Sequence, residues 1–545
     1  MYLVYDVRGI QKYIFAVPKL KGVIGGSLIV EEFDHQEAPQ AAEKYGWECI
    51  FTGGGRGLFS KNDGGNIADL RKELTETAHS HGLDIRFGEC EEMNSIPEAV
   101  DLYPFVPPME PGKIYPCALS GLWPVREKGA VHELIKERME KARRQDLNQK
   151  SATPIKKVLE ELNKEFNELL KETCGSDMKM DFFRNVSPEE EQDKQERKEA
   201  KAAASALGNR NRWAVVCMDG NDMGRQIACM VHEKDQKRRE KWFKAFSSSL
   251  AECTNGAFTA ALKETVRLWM EENREELKSS YVANDCLILP FRPLVLGGDD
   301  VTLLCHSGWA MEFVKQMSTA FTQYSEKLAN EKKSVLDDYE LWPATGNSLT
   351  ISAGVLFCKT TYPLVSAIEY AESLLASAKS GFRADPSQKK PSQPGVDWET
   401  VTETLVDSPA ERRQREMWFQ DKELGNQEIR LTDKPYSIEK FEELEKSRMM
   451  QTLAALPGTI RAGLLPSLRQ PWSLRTAFLA SLGKRHPTLW RKLGETNGEW
   501  WICDEENSSV LKTQVIDAVT LLDEARRMKQ ETVHSSSEDS ERKNR

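Results

Sequence analysis

Several things are missing from this sequence, and each absence excludes a class. Its 545 residues contain no run of eighteen apolar positions, which rules out a helical membrane span. Its eleven cysteines include no CxxC pair, so neither a zinc ribbon nor a disulfide framework is visible. None of its eight histidines is followed by aspartate. The opening MYLVYDVRGIQKYIF is no secretory signal, because Asp6 and Arg8 interrupt the apolar stretch and no small-residue cleavage site follows. A cytoplasmic protein is expected. What is present is a soluble globular composition: 39% apolar and 29% charged residues, with 75 Lys+Arg against 85 Asp+Glu and a net charge of −10. At about 150 residues per domain, the length suggests three or four domains.

Two parts of the chain open alike. YLVYDV at 2–7 and WAVVCMD at 213–219 are apolar strands ending in a carboxylate. Each is followed later by a strand–Gly–Gly–strand unit, CIFTGGGRGLF at 49–59 and PLVLGGDDVTLLC at 293–305. Such turns use glycine because they need positive φ. The second copy is the richer. It predicts a strand at 213–218, a helical stretch over 236–278, a hairpin turning at Gly297–Asp300, a helix over 309–331, a strand over 348–357 and a helix over 363–380. That is βαββαβ, a ferredoxin-like palm.

The fold class expected is therefore α+β, with two ferredoxin-like palms, a helical linker region and a C-terminal α-helical domain. The boundaries expected are 1–125 for a degenerate first palm and 126–208 for the charged helical linker. The second palm with its Gly-Gly-Asp-Asp turn takes 209–405, the helical domain 406–528, and a disordered tail 529–545.

The chemistry concentrates at two strand ends: Asp219-Gly220-Asn221-Asp222-Met223-Gly224 and Gly297-Gly298-Asp299-Asp300. Neighbouring palm strands bring their ends together, and carboxylates there can hold two Mg²⁺ ions for in-line nucleotidyl transfer. The turn over 220–224 opens toward a helix whose backbone N–H groups suit a triphosphate. Gly-Gly-Asp-Asp alone is also simply a good hairpin turn. Three further features in order favour the functional reading: Asp219 on the preceding strand, Ser352-Ala353-Gly354 on the last, and Lys379 ending AESLLASAK, where its charge would meet a γ-phosphate.

Residues 209–390 resemble the cyclase-type palm shared by GGDEF nucleotide cyclases and the large subunit of type III CRISPR effector complexes, the latter more closely. DGNDMG is similar to that family's D-G-D-N-M-G turn, and LPFRPLVLGGDDVTLLC to its hairpin. DVRGIQKYIFAVPKLKGVIGGSLIV resembles its first-palm opening, and YPCALSGLWPV at 115–125 the knuckle between its palms. The resemblance implies an enzyme that converts ATP to cyclic oligoadenylate messengers with Mg²⁺ or Mn²⁺. It would work beside other effector-complex subunits and be switched on by RNA. Carried onto this chain, Asp219 and Asp299 are the principal metal ligands, with Gly220 beside them and Asp300 in support. Gly220, Asn221, Asp222, Met223, Gly224, Gly297, Gly298, Ser352 and Lys379 would surround the nucleotide. Asp222 ranks lower, because Asn221-Asp222 reverses the family's order.

Other departures carry expectations of their own. The chain opens on the first palm with no His-Asp pair, so no DNase activity is expected. The knuckle has Cys117 but Ser120 in place of a second cysteine, which argues against zinc. Gly53-Gly54-Gly55-Arg56 has no acids, so the first palm should bind or support rather than catalyse. Two readings compete with the cyclase: a non-catalytic scaffold of an RNA-guided complex, and a diguanylate-cyclase-type enzyme, against which Val301 stands where Phe is expected.

One window runs against the acidic whole. Residues 446–494 carry nine basic side chains (Lys446, Arg448, Arg461, Arg469, Arg475, Lys484, Arg485, Arg491 and Lys492) and no Asp or Glu. Pooling of one sign suggests a surface facing RNA or an acidic partner subunit, with Trp472 and Trp490 available to stack bases. The alternatives are core tryptophans, and basic residues paired with acids elsewhere, such as the run at 189–199.

Overall fold

A computed structural model describes residues 1–61, 65–91, 115–116, 124–125, 131–144, 154–174, 178–188, 191, 193–208, 212–231, 235–277, 279–333, 336, 340–383, 392–401, 407–485, 487, 502–503 and 510–524. The knuckle residues Cys117 and Ser120 and the tail 529–545 lie outside them.

The first sheet has strands Tyr2–Val7, Trp47–Gly53, Arg56–Lys61 and Ile85–Cys90. In space their order is second, third, first, fourth, all antiparallel. The second palm repeats that order with Phe291–Gly297, Asp300–His306, Arg212–Gly220 and Ile351–Lys359. Both are ferredoxin-like. Gly395–Thr400 adds a parallel strand to the second sheet, and Tyr436–Ser437 closes its edge.

Alternation along each strand sends successive side chains to opposite faces, and both faces are covered. Leu3 and Tyr5 pack with helix Leu20–Glu32 of the first palm, while Tyr2 and Val4 share a core with Trp242 and Phe246 of the second. Those two rings belong to the 37-residue helix Gln236–Glu272 and stack at 4.6 Å. In the second sheet, Ala214, Val216 and Met218 join this helix and Ala310–Lys332, whereas Val215 and Cys217 face Leu364–Gly381. The second palm thus covers the first palm's open sheet face. Ser27 Oγ on the first palm's helix donates to Leu294 O on the second palm's hairpin, a bond across that boundary. Close approach is needed where Leu364–Gly381 crosses the last strand: a Cβ at Gly354 would collide with the Ala371 carbonyl.

The region between the palms is helical over Glu133–Arg144, Pro154–Cys174 and Lys194–Ala206. It also holds a strand the sequence did not announce, Lys179–Phe182, paired parallel to Cys286–Leu289. Helices Ile438–Lys446, Arg448–Ala455, Gly458–Leu468 and Trp472–Arg485 dominate the C-terminal part. Beside them stands a small unannounced sheet of Trp418–Asp421, Gln427–Arg430, Val510–Lys512 and Ile502–Cys503. Its strands are two to four residues long, too short for a periodic signal, and Glu428 pairs with the distant Val510. Among the described residues, no helix is long and apolar enough to cross a membrane.

Candidate active site

The strand Arg212–Gly220 runs through the middle of the second sheet and ends in Asp219 and Gly220. The neighbouring hairpin closes with Gly297 opposite Asp300, a two-residue loop of Gly298 and Asp299. Gly298 has φ 62°, the left-handed value that such a loop asks of its first residue. Thr254 Oγ1, on the long helix, donates to Gly298 O at 2.6 Å and fixes the turn from behind. No sequence signal marks Thr254 for this.

Strand pairing sets Val301 opposite Met218, so the two carboxylate-bearing ends meet at one sheet edge. Gly220 shows how close they come: a Cβ there would stand 3.0 Å from Asp299 Cβ and 2.8 Å from Met223 Cε. Burial, then the charges of Asp219 and Asp300, lifts the Asp299 carboxyl well above the usual range. Burial and Asp219 raise Asp300 as well, to about 7. Lys379, in the last turn of its helix, forms an ion pair with Asp219 and donates to Gly220 O at 2.8 Å. The structure therefore brings together Asp219, Gly220, Gly297, Gly298, Asp299, Asp300 and Lys379.

Three of the expected nucleotide contacts are directed elsewhere. Ser352 is fully buried; its Oγ donates to Asn221 Oδ1 and accepts from Gly395 N, both at 3.0 Å. Asn221, also buried, donates to Thr350 Oγ1 at 2.9 Å. Asp222 has φ 63° and turns its carboxylate to Ser392 N, Ser392 Oγ and Arg225, at 2.8, 3.0 and 3.0 Å. These side chains hold the loop and do not face the cavity. Met223 and the exposed Gly224 open the helix Met223–Val231, whose Arg225 and Gln226 N–H groups are bonded to Asp222 O. Gln226, completely buried, ties this helix to Thr345 Oγ1 and Ala344 N, another contact with no cue in the sequence.

The acids form an open set. No group of three or more His, Cys, Asp or Glu side chains is caged for a metal among the described residues. The donor chemistry nevertheless fits Mg²⁺ or Mn²⁺: carboxylates pushed into mutual repulsion at one edge, leaving coordination for water and phosphate oxygens. Gly220 fits less simply, since its carbonyl already serves Lys379.

The matching edge of the first palm is electrostatically closed. Asp6 occupies the place of Asp219 and lies between Arg56, at 2.6 Å, and Arg86. The turn Gly54-Gly55 has φ of 60° and 71°, and Asp34 Oδ2 accepts from Gly55 N at 2.6 Å. This turn abuts the acidic hairpin, Gly54 N being 4.0 Å from a Cβ built on Gly297. Between the palms lies a cavity of about 310 Å³ lined by Gln11, Asp34, Gly54, Asp219, Asp300 and Glu372 among others.

The basic window 446–494 divides. Arg475 is 2% exposed and paired with Asp421, so it is not a surface cation. Arg461 is buried and donates to Asp523 at 3.0 Å and to Leu456 O at 2.9 Å. Lys446 pairs with Glu442 at 3.0 Å, and Arg469 approaches Glu416 at 3.9 Å. The acids that meet them belong to the C-terminal part of the chain, not to the run at 189–199, where Glu191 and Glu196 bind Lys21 and Glu199 binds Arg184. Lys484 and Arg485 are exposed. Trp490, Arg491 and Lys492 lie outside the described residues.

Compared with known proteins, residues 212–385 match the model of the Cas10/Cmr2 second palm domain. Solved structures similar to the chain include the Csm1-Csm4 cassette in complex with cA3, at 14% identity and TM-score 0.46 over 96% of this chain and 69% of that one. The cassette in complex with cA4 aligns at 14% identity and TM-score 0.45 with the same coverage. The Csm1-Csm4 subcomplex in the type III-A CRISPR-Csm interference complex gives 14% and 0.44 over 97% and 69%. None of the curated proteins matches. The segment 212–385, with the strand order and acidic turn described above, thus matches the second palm domain of Cas10/Cmr2, and the chain is Cas10-like over that segment.

Proposed function

We propose that this chain condenses ATP into cyclic or linear oligoadenylates, as the large subunit of a type III CRISPR complex in RNA-activated antiviral defence. The observation that carries the reading is the crowding of Asp299 and Asp300 on Asp219, with Lys379 beside them, in a palm of the Cas10/Cmr2 type. Carboxylates raised by burial and by one another are a cost to the fold and a use to a site that binds cations. A scaffold retaining its palms for architecture alone gives that repulsion no purpose.

Asp219 and Asp299 would hold the metals, with Asp300 in support. Bound Mg²⁺ or Mn²⁺ supplies activation of a 3′-hydroxyl and neutralisation of the leaving pyrophosphate. Lys379 keeps an ammonium at the mouth of this set, where it meets the triphosphate. The N–H groups of Met223 and Gly224, at a helix N-terminus, add a backbone cradle for the same anion. Gly298 shapes the turn without contributing a side chain. The first palm closes the other wall and supplies no acid for catalysis, Asp6 being held by two arginines. Exposed Lys484 and Arg485 are among the members of the basic window that could meet RNA or a partner subunit.

The test is direct. Purified chain is incubated with ATP and Mg²⁺, with and without RNA and the companion subunits, and products are identified by mass spectrometry. Oligoadenylates that vanish in Asp299→Ala support the reading. Their absence under every condition rejects it.

A further inference from the structure

At the mouth of the cavity between the palms lie two side chains that neither the fold nor the proposed chemistry uses. Gln11, on the short helix Ile10–Ile14, donates Nε2–H to Glu372 Oε1 at 2.6 Å, across 361 positions of sequence. Both residues line the cavity that also holds Asp219 and Asp300. Its volume of about 310 Å³ is at the small end of the range for nucleotide-sized ligands. Two other polar groups of the first-palm wall, Asp34 and Ser27, are already committed. Asp34 accepts from Tyr5 Oη at 2.8 Å and from Gly55 N at 2.6 Å, and Ser27 Oγ is bound to Leu294 O. Gln11 is exposed and keeps its amide oxygen and a second N–H.

Glu372 and Lys379 are seven residues apart on one helix. Seven residues are nearly two turns, so both lie on the same face, separated by roughly 10 Å along the axis. That separation is of the order of the reach from a purine's outer edge to its phosphates. Lys379, paired with Asp219 of the lining, marks the phosphate end; Glu372 and Gln11 therefore stand where the base would lie.

The hydrogen bond also fixes what Gln11 presents. An ionised carboxylate only accepts, so it takes the Gln11 N–H and excludes the amide rotated by 180°, which would set oxygen against oxygen. The exposed side of the amide is then an acceptor beside a donor. On the edge that carries N7, adenine offers the complement, its N6–H₂ donor next to the N7 acceptor, whereas guanine offers O6 and N7 there, two acceptors. We infer that Gln11, oriented by Glu372, reads the N6/N7 edge of the bound base and selects adenine over guanine. Gln11 is the specificity residue and Glu372 a positioning residue; the inference rests on the nucleotide-binding reading above.

Calorimetric titration of the full chain with the β,γ-imido analogues of ATP and GTP, in Mg²⁺, tests it. The unmodified chain should prefer the ATP analogue by about ten- to a hundred-fold, the discrimination typical of one bidentate amide contact. Gln11→Ala should remove that preference by weakening the ATP analogue alone. Glu372→Gln should narrow it by letting the amide turn, raising GTP-analogue affinity. Variants that bind nucleotide and keep the original preference overturn the inference and leave the nucleotide site standing. Equal weakening of both analogues also overturns it, since that marks a merely structural contact. An unmodified chain that binds neither analogue, alone or with companion subunits, overturns the nucleotide reading and the inference with it.

Discussion

Replacing Asp300 with asparagine should stabilise the empty chain while removing its condensing activity. Burial and the charge of Asp219 raise the Asp300 carboxyl from its ordinary 3.8 to about 7. The sign follows from proton binding. A carboxyl raised in the native state keeps its proton at pH values where the unfolded chain has released it. Native stability therefore declines as pH climbs from about 4 to about 7, and the full cost is present above 7. Taken without screening, that difference corresponds to ~4 kcal/mol. Asp300 reaches solvent at the turn, and screening of an exposed charge reduces the effect to about 1 kcal/mol. If the palm melts as a unit, about 2–4 °C separates the two proteins. Thermal unfolding in EDTA should show Asp300→Asn above wild type, with a gap smallest at pH 4.5 and largest at pH 8.5. Added Mg²⁺ should raise wild type more than the variant, because it relieves the same repulsion. A variant that melts at or below wild type at pH 8.5, with no trend across pH, refutes the crowding argument.

Four further outcomes follow. Asp219→Ala and Asp299→Ala should each abolish condensation without unfolding the chain, since both acids sit at strand ends; circular dichroism together with product analysis decides this. Arg475→Glu should destabilise the C-terminal part by about 3–5 kcal/mol, because it sets two carboxylates together where Arg475 and Asp421 are now paired out of solvent. Lys484→Glu with Arg485→Glu should leave the melting curve unchanged and weaken RNA or subunit binding with a reduced salt dependence, read in a titration at several ionic strengths. Asp6→Ala should reduce condensation only in part, and a complete loss with stability and ATP binding intact would contradict the supporting role given to the first palm.

The parts of the fold legible in the sequence are those with local causes. Apolar runs ended by an acid gave the strands at 2–7 and 213–218, within two residues of their observed ends. Glycine at Gly298 and at Gly54-Gly55 marked both hairpins, because positive φ is a property of the residue itself. Helical spacing located Leu364–Gly381 and placed Lys379 in its last turn. The failures have long-range causes. Ser352 and Asn221 carry groups suited to a ligand, and their partners Gly395 and Thr350 decided otherwise. Arg475 was indistinguishable from Arg485 in a charge map, because its partner Asp421 lies 54 residues upstream. The Gln11–Glu372 contact joins two palms and has no local signature at all.

Asp6 and Asp219 stand at the same place in two sheets of one topology, and their surroundings resolve the charge in opposite ways. Arg56 and Arg86 give Asp6 a complete answer, so the first sheet is internally consistent at that edge. Around Asp219 one lysine is outnumbered by two further acids, which leaves a local conflict that the rest of the sheet outweighs. In landscape terms the second palm carries a local frustration at this rim. Frustration confined to a rim does not compete with the topology during folding, since the contacts that select strand order lie elsewhere. It persists instead in the finished molecule, as a gradient that draws positive charge to a single point between the two palms.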